Sequence, residues 1–400
     1  MHLVIAWRNI WRNKKRSIIT ITAIFIAVFL SILMRSMQLG MYDNMIKNVV
    51  GSYSGYIQIH KKGYWEKQTI NNAFQANQKL LNEINKIDGV ENTIMRLQSS
   101  SLASHNELTK YVFLSGIQPD KEEFLTNWNK RLIKGKLLKK GDNNINIGKG
   151  VSSFFNLTVG DSITFSCNNC NSTKYMISGI VDMKNPKLNK LSVFMNLESA
   201  QKILHSQNKI THIIIDKKEY SDETEISKKI SNKIGQDYEV MNWKEMMPEL
   251  EQTIQADSAG GIIMIFILYM IITFGIFGTV LMMTQERKYE FGVLISIGMK
   301  KTKLILILFY ETIILSLIGV LLGILISRPI ILYYYHNPLV MPSKEANAME
   351  DMGFEAVIPF MNTYDIPLTH GLIIFTISVI ICLYPAYVIY SLNPIKAMKR

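Results

Sequence analysis

Three cysteines in 400 residues cannot staple a disulfide-rich scaffold, and only Cys167 and Cys170 stand near each other. Charge is scarce too, at 19% of residues against 48% hydrophobic. That balance excludes a disordered chain, which needs the reverse. Catalytic spacings are also missing. There is no GxxxxGK[ST] phosphate loop, and Gly148-Lys149-Gly150 lacks the third glycine of a dinucleotide loop. Gly51-Ser52-Tyr53-Ser54-Gly55 centres on tyrosine, where a nucleophile elbow requires serine. The seven histidines form no HExxH. No catalytic residue and no metal ligand is expected.

What the sequence does have is apolar length. Ser17–Met34, Gly260–Thr284, Leu304–Ser327 and Gly371–Leu392 run for 18, 25, 24 and 22 residues, and Glu311 is their only charge. About 20 helical residues cross the hydrocarbon of a bilayer, so four transmembrane helices are expected. The first follows a basic stretch but runs into Met34-Arg35-Ser36-Met37, without the small-residue pattern of a cleaved signal peptide. It reads as an uncleaved anchor.

The formal charge of +12 reports topology, not nucleic acid. Arg8, Arg12, Lys14, Lys15 and Arg16 precede the first span with no acid among them. Arg287, Lys288, Lys300, Lys301 and Lys303 outnumber Glu286 and Glu290 in the 285–303 connection, and Lys396, Lys399 and Arg400 close the tail. Residues 36–258 are nearly balanced, with 28 basic and 24 acidic side chains. Short basic segments mark the cytoplasmic side. Both termini and the 285–303 connection are therefore expected inside, and the 36–258 region and the 328–370 connection outside. Leu3, Trp7, Ile10 and Trp11 at helical spacing predict an amphipathic interfacial helix over 1–16.

The expected fold is thus an α-helical membrane protein with four transmembrane helices plus a large α+β extracytoplasmic domain inserted between helices 1 and 2. The first helix and its outward extension take 17–50, the α+β domain 51–255, and the second helix 256–284. The third takes 304–327, an outer connection 328–370, the fourth 371–392 and a cytoplasmic tail 393–400. In the domain, strand patterns fall at Ser54–His60, Lys110–Leu114, Ile145–Ile147, Ser162–Ser166, Tyr175–Val181, Ser192–Met195 and Thr211–Ile215. Helical patterns fall at Ala73–Lys86, Leu197–Ser206, Ser221–Ile234 and Lys244–Gln255. Cys167-Asn168-Asn169-Cys170 reads as a hairpin tip whose thiols either close a local disulfide in an oxidising compartment or stay free.

Three other features bear on function. The 285–303 connection is not simply polar: Phe291, Leu294, Ile295 and Ile297 form an apolar turn between charged ends, which something should cover. A membrane surface and a docked protein are the two options. Glu311 should face protein rather than lipid, and Gly319 with Gly323 suits close helix approach. Met34, Met37, Met41 and Met45 recur every three or four residues. This stripe either lines an acyl-chain site or packs against a neighbouring helix of a dimer.

Glu286-Arg287, Glu290-Phe291-Gly292, Leu294 and Gly298 resemble the ER-x-x-E-F-G-x-L-x-x-x-G coupling segment of the FtsX-like, or MacB-type, ABC transporter permeases. The resemblance extends along most of the chain. Val112–Pro119 is similar to an outer-domain element of that family, as are Gly148, Val159-Gly160-Asp161 and Ser178-Gly179-Ile180. Glu311 with Gly319 and Gly323 resembles its third span, and Tyr384-Pro385-Ala386 with Asn393–Met398 its end. One departure stands out: Gly278-Thr279 replaces an asparagine common before the ER pair.

The resemblance implies a permease subunit that docks an ABC ATPase through Glu286, Arg287, Glu290, Phe291, Gly292, Leu294, Ile297 and Gly298. ATP and magnesium belong to that separate ATPase dimer, and no cofactor is expected in this chain. A second permease subunit, identical or related, completes the complex. Within the family it resembles most the lipoprotein-releasing (LolC/LolE-like) branch. That implies an inner-membrane protein which releases lipoproteins from the outer leaflet to a periplasmic carrier by ATP-driven mechanotransmission. Efflux or export, and transmembrane signalling to a cell-wall hydrolase, are the alternatives the family allows.

Overall fold

The computed structural model describes residues 2–167, 170–218, 221–342 and 356–394, with Lys344, Ala346 and Met349 between them. Two compact units emerge. The first comprises Met1–Asp43, Thr253–Leu339 and Ile358–Arg400, and the second Asn44–Gln252 with Val340–Val357.

The chain opens with α1 (His2–Arg12), breaks at Asn13 and enters α2 (Lys14–Ile46). Ser17 donates its hydroxyl to the Ile10 carbonyl across that break at 3.0 Å, satisfying an acceptor that the helix end would leave open. Residues Lys47–Ser54 continue as wider π turns and end at Gly55, whose φ of +71° only glycine adopts readily. The strand expected from Ser54 therefore begins at Ile57.

The second unit is a ten-stranded mixed sheet with helices, which is the expected α+β class. In chain order its elements are β1 (Ile57–Lys61), α3 (Gln78–Asn85), β2 (Val90–His105), β3 (Leu108–Ile117), α4 (Pro119–Thr126), α5 (Trp128–Arg131), β4 (Leu132–Gly135) and β5 (Ile145–Gly148). Then come α6 (Lys149–Phe155), β6 (Ser162–Cys167), β7 (Cys170–Val181), α7 (Pro186–Leu191), β8 (Ser192–Asn196) and α8 (Leu197–Ile203). β9 (His212–Lys217), α9 (Glu223–Ser231), β10 (Tyr238–Asn242) and α10 (Trp243–Met246) complete it. The strands lie in the order β10-β1-β9-β2-β3-β8-β5-β7-β4, with β6 beside β2 and β7.

β2 runs for 16 residues and joins both halves of the sheet, pairing β9 through Val90–Arg96 and β3 through Leu97–His105. Sequence patterning misses it, along with β4 and β10. Its Gln98-Ser99-Ser100-Ser101 stretch offers no apolar alternation, and pairing with three neighbours supplies what the pattern lacks. The two largest cores within the sheet unit lie around Leu114, Ile147, Phe165 and Ile177 and around Ile59, Ile84, Ile213 and Ile230.

Among the described residues, four helices are long and apolar enough to cross a membrane: Lys14–Gly51, Pro248–Glu286, Lys301–His336 and Asp365–Ser391. All exceed the apolar runs that mark them. α11 (Pro248–Glu286) absorbs most of the helix expected at Lys244–Gln255, because Pro248 at its first turn needs no intrahelical donor. α12 (Lys288–Ser296) follows after Arg287, and α13 (Lys301–His336) continues through Pro329, past the Ser327 limit read from hydropathy. The last span divides into α14 (Asp365–Ile381) and α15 (Leu383–Ser391). Pro385, which has no N–H for the Ile381 carbonyl, accounts for the break. Within the 328–370 connection, β11 (Leu339–Val340) pairs with β12 (Val357–Ile358) as a two-stranded ladder.

Candidate functional site

α11 ends at Glu286, and the chain turns through Arg287 into α12. At the other end α12 stops on a pair of reversed hydrogen bonds: Gly298 N–H to the Ile295 carbonyl and Met299 N–H to the Leu294 carbonyl, both 3.0 Å. This Schellman arrangement needs a left-handed residue after the cap, and Gly298 supplies it at φ +100°. The result is a short, sharply bounded helix between two spans.

Its apolar residues split into two sets. Phe291, expected on the exposed docking turn, is only 1% exposed. It packs with Met283, Leu304, Leu308, Ile389 and Leu392, so it plugs the gap between the ends of α11, α13 and α15. Gly292 is buried beside it, and Ile295 leans on the same cluster. Leu294 and Tyr289 remain exposed, and Ile297 is 79% exposed. Phe291 and Gly292 are thus the root of the element, whereas Leu294 and Ile297 form its free tip and Tyr289 is exposed at its start. The apolar run looks uniform in sequence because both faces are apolar: Phe291 and Ile295, four apart, turn inward, while Leu294 and Ile297, three apart, stay exposed.

The charged residues hold the root. Arg287 Nη1 lies 3.0 Å from Glu311 Oε2 in α13, with both side chains buried, and the guanidinium stands 5.2 Å from the Phe291 ring. Glu311 therefore faces protein, as a carboxylate inside a span must. Glu290 lies 3.5 Å from Arg287 Nε and 2.8 Å from Arg12 Nη2. Glu286 pairs with Arg16. Sequence alone marks Arg12 and Arg16 only as topology-setting charges. Their four-residue spacing, mirrored by Glu286 and Glu290, is the signal that could have found the pairing.

α1 packs along α13. Ala6 and Ile10 are buried, while Leu3, Trp7 and Trp11 stay exposed with Lys14 over the Trp11 ring. Ile10 thus leaves the face on which the sequence places it with the two tryptophans. Near the far end of α15, Lys301 Nζ donates to the carbonyls of Tyr390 and Leu392 at 2.7 and 2.9 Å, a cation on an open helix terminus.

Gly319 and Gly323 lie against α2. A Cβ on either would stand 2.7 Å from Ile24 or Val28, so these glycines set the approach of α13 to α2. Met34, Met37, Met41 and Met45 are half-buried, and the buried side of this stretch is Ser36 and Gly40 instead. There Ser36 Oγ donates to the Met361 carbonyl at 2.7 Å, and a Cβ on Gly40 would collide with the Pro359 carbonyl. The backbones of Cys167 and Cys170 pair across the β6–β7 hairpin, but their side chains and the intervening Asn168-Asn169 lie outside the described residues. Cys382 is a buried free thiol between α14 and α15. Among the described residues, no group of three His, Cys, Asp or Glu is placed to hold a metal.

Four apolar spans and a large mixed sheet define a multi-pass membrane protein with a substantial folded unit outside its helices. The family model of the FtsX-like permease C-terminal region matches residues 262–394, and that of the MacB-like periplasmic core domain matches 17–233, over half of the chain. The chain belongs to the FtsX-like ABC transporter permeases with a MacB-like periplasmic core domain. Two curated relatives are lipoprotein-releasing system transmembrane proteins LolC of Xylella fastidiosa. The protein of strain 9a5c is 19% identical and that of strain Temecula1 20%, each over 303 residues and 72% of both chains. Among solved structures, the periplasmic region of MacB from Actinobacillus actinomycetemcomitans covers 52% of this chain and 95% of its own (TM-score 0.38, 15% identity). The extracellular domain of the ABC-type transporter YknZ from Gram-positive bacteria covers 47% of this chain and all of its own (TM-score 0.35, 13% identity). Proteins of this family are transmembrane components rather than catalysts, and membership implies an ATPase partner and a dimeric assembly.

Proposed function

We propose that this chain is the permease subunit of a complex that releases lipoproteins from the outer leaflet of the bacterial inner membrane. Both termini and α12 lie in the cytoplasm, and the α+β unit lies in the periplasm. The observation that carries the coupling role is the division of α12 into a buried root at Phe291 and an exposed apolar tip at Leu294 and Ile297. A rooted element with an uncovered apolar end suits a partner that pushes on it. That partner is a separate ABC ATPase dimer, which brings the ATP and magnesium. Its closure displaces α12, and the displacement passes into α11 and α2, each of which leads along the chain into the outer unit. No substrate channel through the bilayer is needed. The LolC relatives favour lipoprotein over other cargo. In the dimer, the half-buried Met34, Met37, Met41 and Met45 meet either acyl chains or the second permease subunit.

Depletion of the protein, followed by separation of the two membranes and quantification of lipoproteins in each, tests this reading. Accumulation of outer-membrane lipoproteins in the inner membrane within one or two generations supports release. An unchanged distribution removes it. Loss of resistance to exported compounds would then point to MacB-type efflux, and loss of septal hydrolase activity to FtsX-like signalling.

A further inference from the structure

Glu290 stands between two arginines. Arg12 reaches it from α1 at 2.8 Å and Arg287 from the turn before α12 at 3.5 Å, while Arg287 also holds Glu311. Alternating charges thus run Arg12–Glu290–Arg287–Glu311 through α1, α12 and α13. A second tie, Arg16–Glu286, joins the first turn of α2 to the last residue of α11. The two ties lie on either side of the break at Asn13. From there the chain enters α2, the helix that precedes the outer unit. Apolar burial through Ala6 and Ile10 keeps α1 seated on α13, so the arginines are presented by a fixed helix rather than a loose tail.

We infer that Arg12 and Arg16 are transmission residues: they clasp the coupling helix to the start of α2, so that α12 and the N-terminal helices move as one body. This rests on the coupling role proposed for α12 and adds a direct route into α2 beside the covalent one through α11. Exposed ion pairs contribute little to stability. Their value here is directional, because a displaced carboxylate at α12 pulls the cation paired with it.

The test uses the complete permease with its ATPase in proteoliposomes. Arg12→Glu with Arg16→Glu should leave the ATPase bound and the unfolding temperature unchanged, while substrate release per ATP falls at least tenfold. Arg12→Lys with Arg16→Lys, which keeps a cation opposite each carboxylate, should hold release within about threefold of wild type. Release unaffected by the charge-reversed variant, or lost equally in the lysine variant, overturns the inference. A second measurement does not depend on charge reversal. Arg12→Cys with Glu290→Cys, in a background lacking the three native cysteines, is assayed both cross-linked and reduced, with release counted per bound ATPase. Release restored by the cross-link relative to the reduced protein shows one rigid body, and release no higher when cross-linked overturns the clasp. Failure of the wild-type complex to bind an ATPase would instead remove the coupling role itself.

Discussion

Arg287 and Glu311 meet inside the protein, 24 residues apart in sequence, with Nη1 3.0 and 3.3 Å from the two carboxylate oxygens. One stands at the junction of α11 and α12, the other inside α13. The pair fixes the angle at which α12 leaves the membrane helices, because both charges are buried and each is the other's nearest counter-charge.

Removing either partner alone should therefore be costly. Arg287→Gln or Glu311→Gln strands a buried charge, and loss of one member of such a pair costs about 3–5 kcal/mol. The double replacement by leucine should recover most of that. Thermal unfolding in detergent measures it. Single and double variants of equal stability would show that the pair does not hold α12.

Gly298 gives a purely conformational prediction. Its φ is +100°, and no atom lies within 4 Å of where a Cβ would stand, so Gly298→Ala clashes with nothing. The strain of a left-handed alanine should still cost about 1 kcal/mol and fray the last turn of α12. Faster amide exchange at Gly298 and Met299, whose N–H groups close the cap, would register it. Unchanged exchange would mean that the cap does not depend on glycine.

Charge and glycine features differ in how far the sequence announces them. Glu311 is legible because a lone carboxylate in a span has few fates, and Gly319 with Gly323 because their spacing implies a close neighbour. Phe291 is not. Whether an apolar residue on a nine-residue helix faces a partner or its own protein depends on three other helix ends, at Met283, Leu304 and Ile389, which the local pattern does not contain. Likewise β2 is a strand through its partners rather than its composition. Arg12 and Arg16 are visible as charges, but a basic helix before a span already has a sufficient explanation in membrane topology.

Contact of α13 with α2 should be intolerant of a single methyl. Alanine at Gly319 would bring its Cβ to 2.7 Å from Ile24, with the Ile21 carbonyl at 3.1 Å; at Gly323 the neighbour is Val28, also at 2.7 Å. Overpacking of this kind costs about 1–3 kcal/mol. Gly275→Ala, inside α11 with open space around it, is the matched control. Unfolding temperatures of the three variants decide: equal values would show that the helices separate without penalty.

The free tip of α12 predicts a separation of docking from folding. Leu294→Asp with Ile297→Asp should leave the unfolding temperature near wild type, since Ile297 is 79% exposed. Co-purification of the ATPase should fall at least tenfold. Phe291→Ala should do the opposite first, costing about 3–5 kcal/mol of stability by opening a cavity among the helix ends. Retention of the ATPase by the double aspartate variant would place the docking surface elsewhere.

Acid should weaken the α+β unit through His60. The ring is fully buried in β1, 2.8 Å through Nε2 from Gln58 Oε1 and stacked on Tyr64 at a centroid distance of 5.2 Å. Burial pushes its pKa down from 6.5 to about 4, although the Glu239 carboxylate lies 3.9 Å from Nδ1. His212, with its ring centroid 6.0 Å away, is held well below its ordinary value by burial first, then by His60 and Arg96. A folded-state pKa below the unfolded one means that the unfolded chain takes up the proton first as pH falls. The stabilisation is therefore whole above about pH 6.5 and is lost progressively toward pH 4. At 1.36 kcal/mol per unit, His60 alone would account for about 3 kcal/mol of that loss. Burial of Asp182 would raise its pKa, but hydrogen bonds from Lys149 and Asn189 outweigh it and hold the carboxyl low. Its contribution is lost in the same direction, only below the ordinary carboxylate range. The full-length protein should thus show a falling unfolding temperature between about pH 7 and 4.5, and His60→Gln should show a shallower fall over the same interval whatever its starting stability. Equal slopes in the two proteins would mean that protonation of His60 does not oppose folding, and the acid sensitivity over this interval would have to arise from His212.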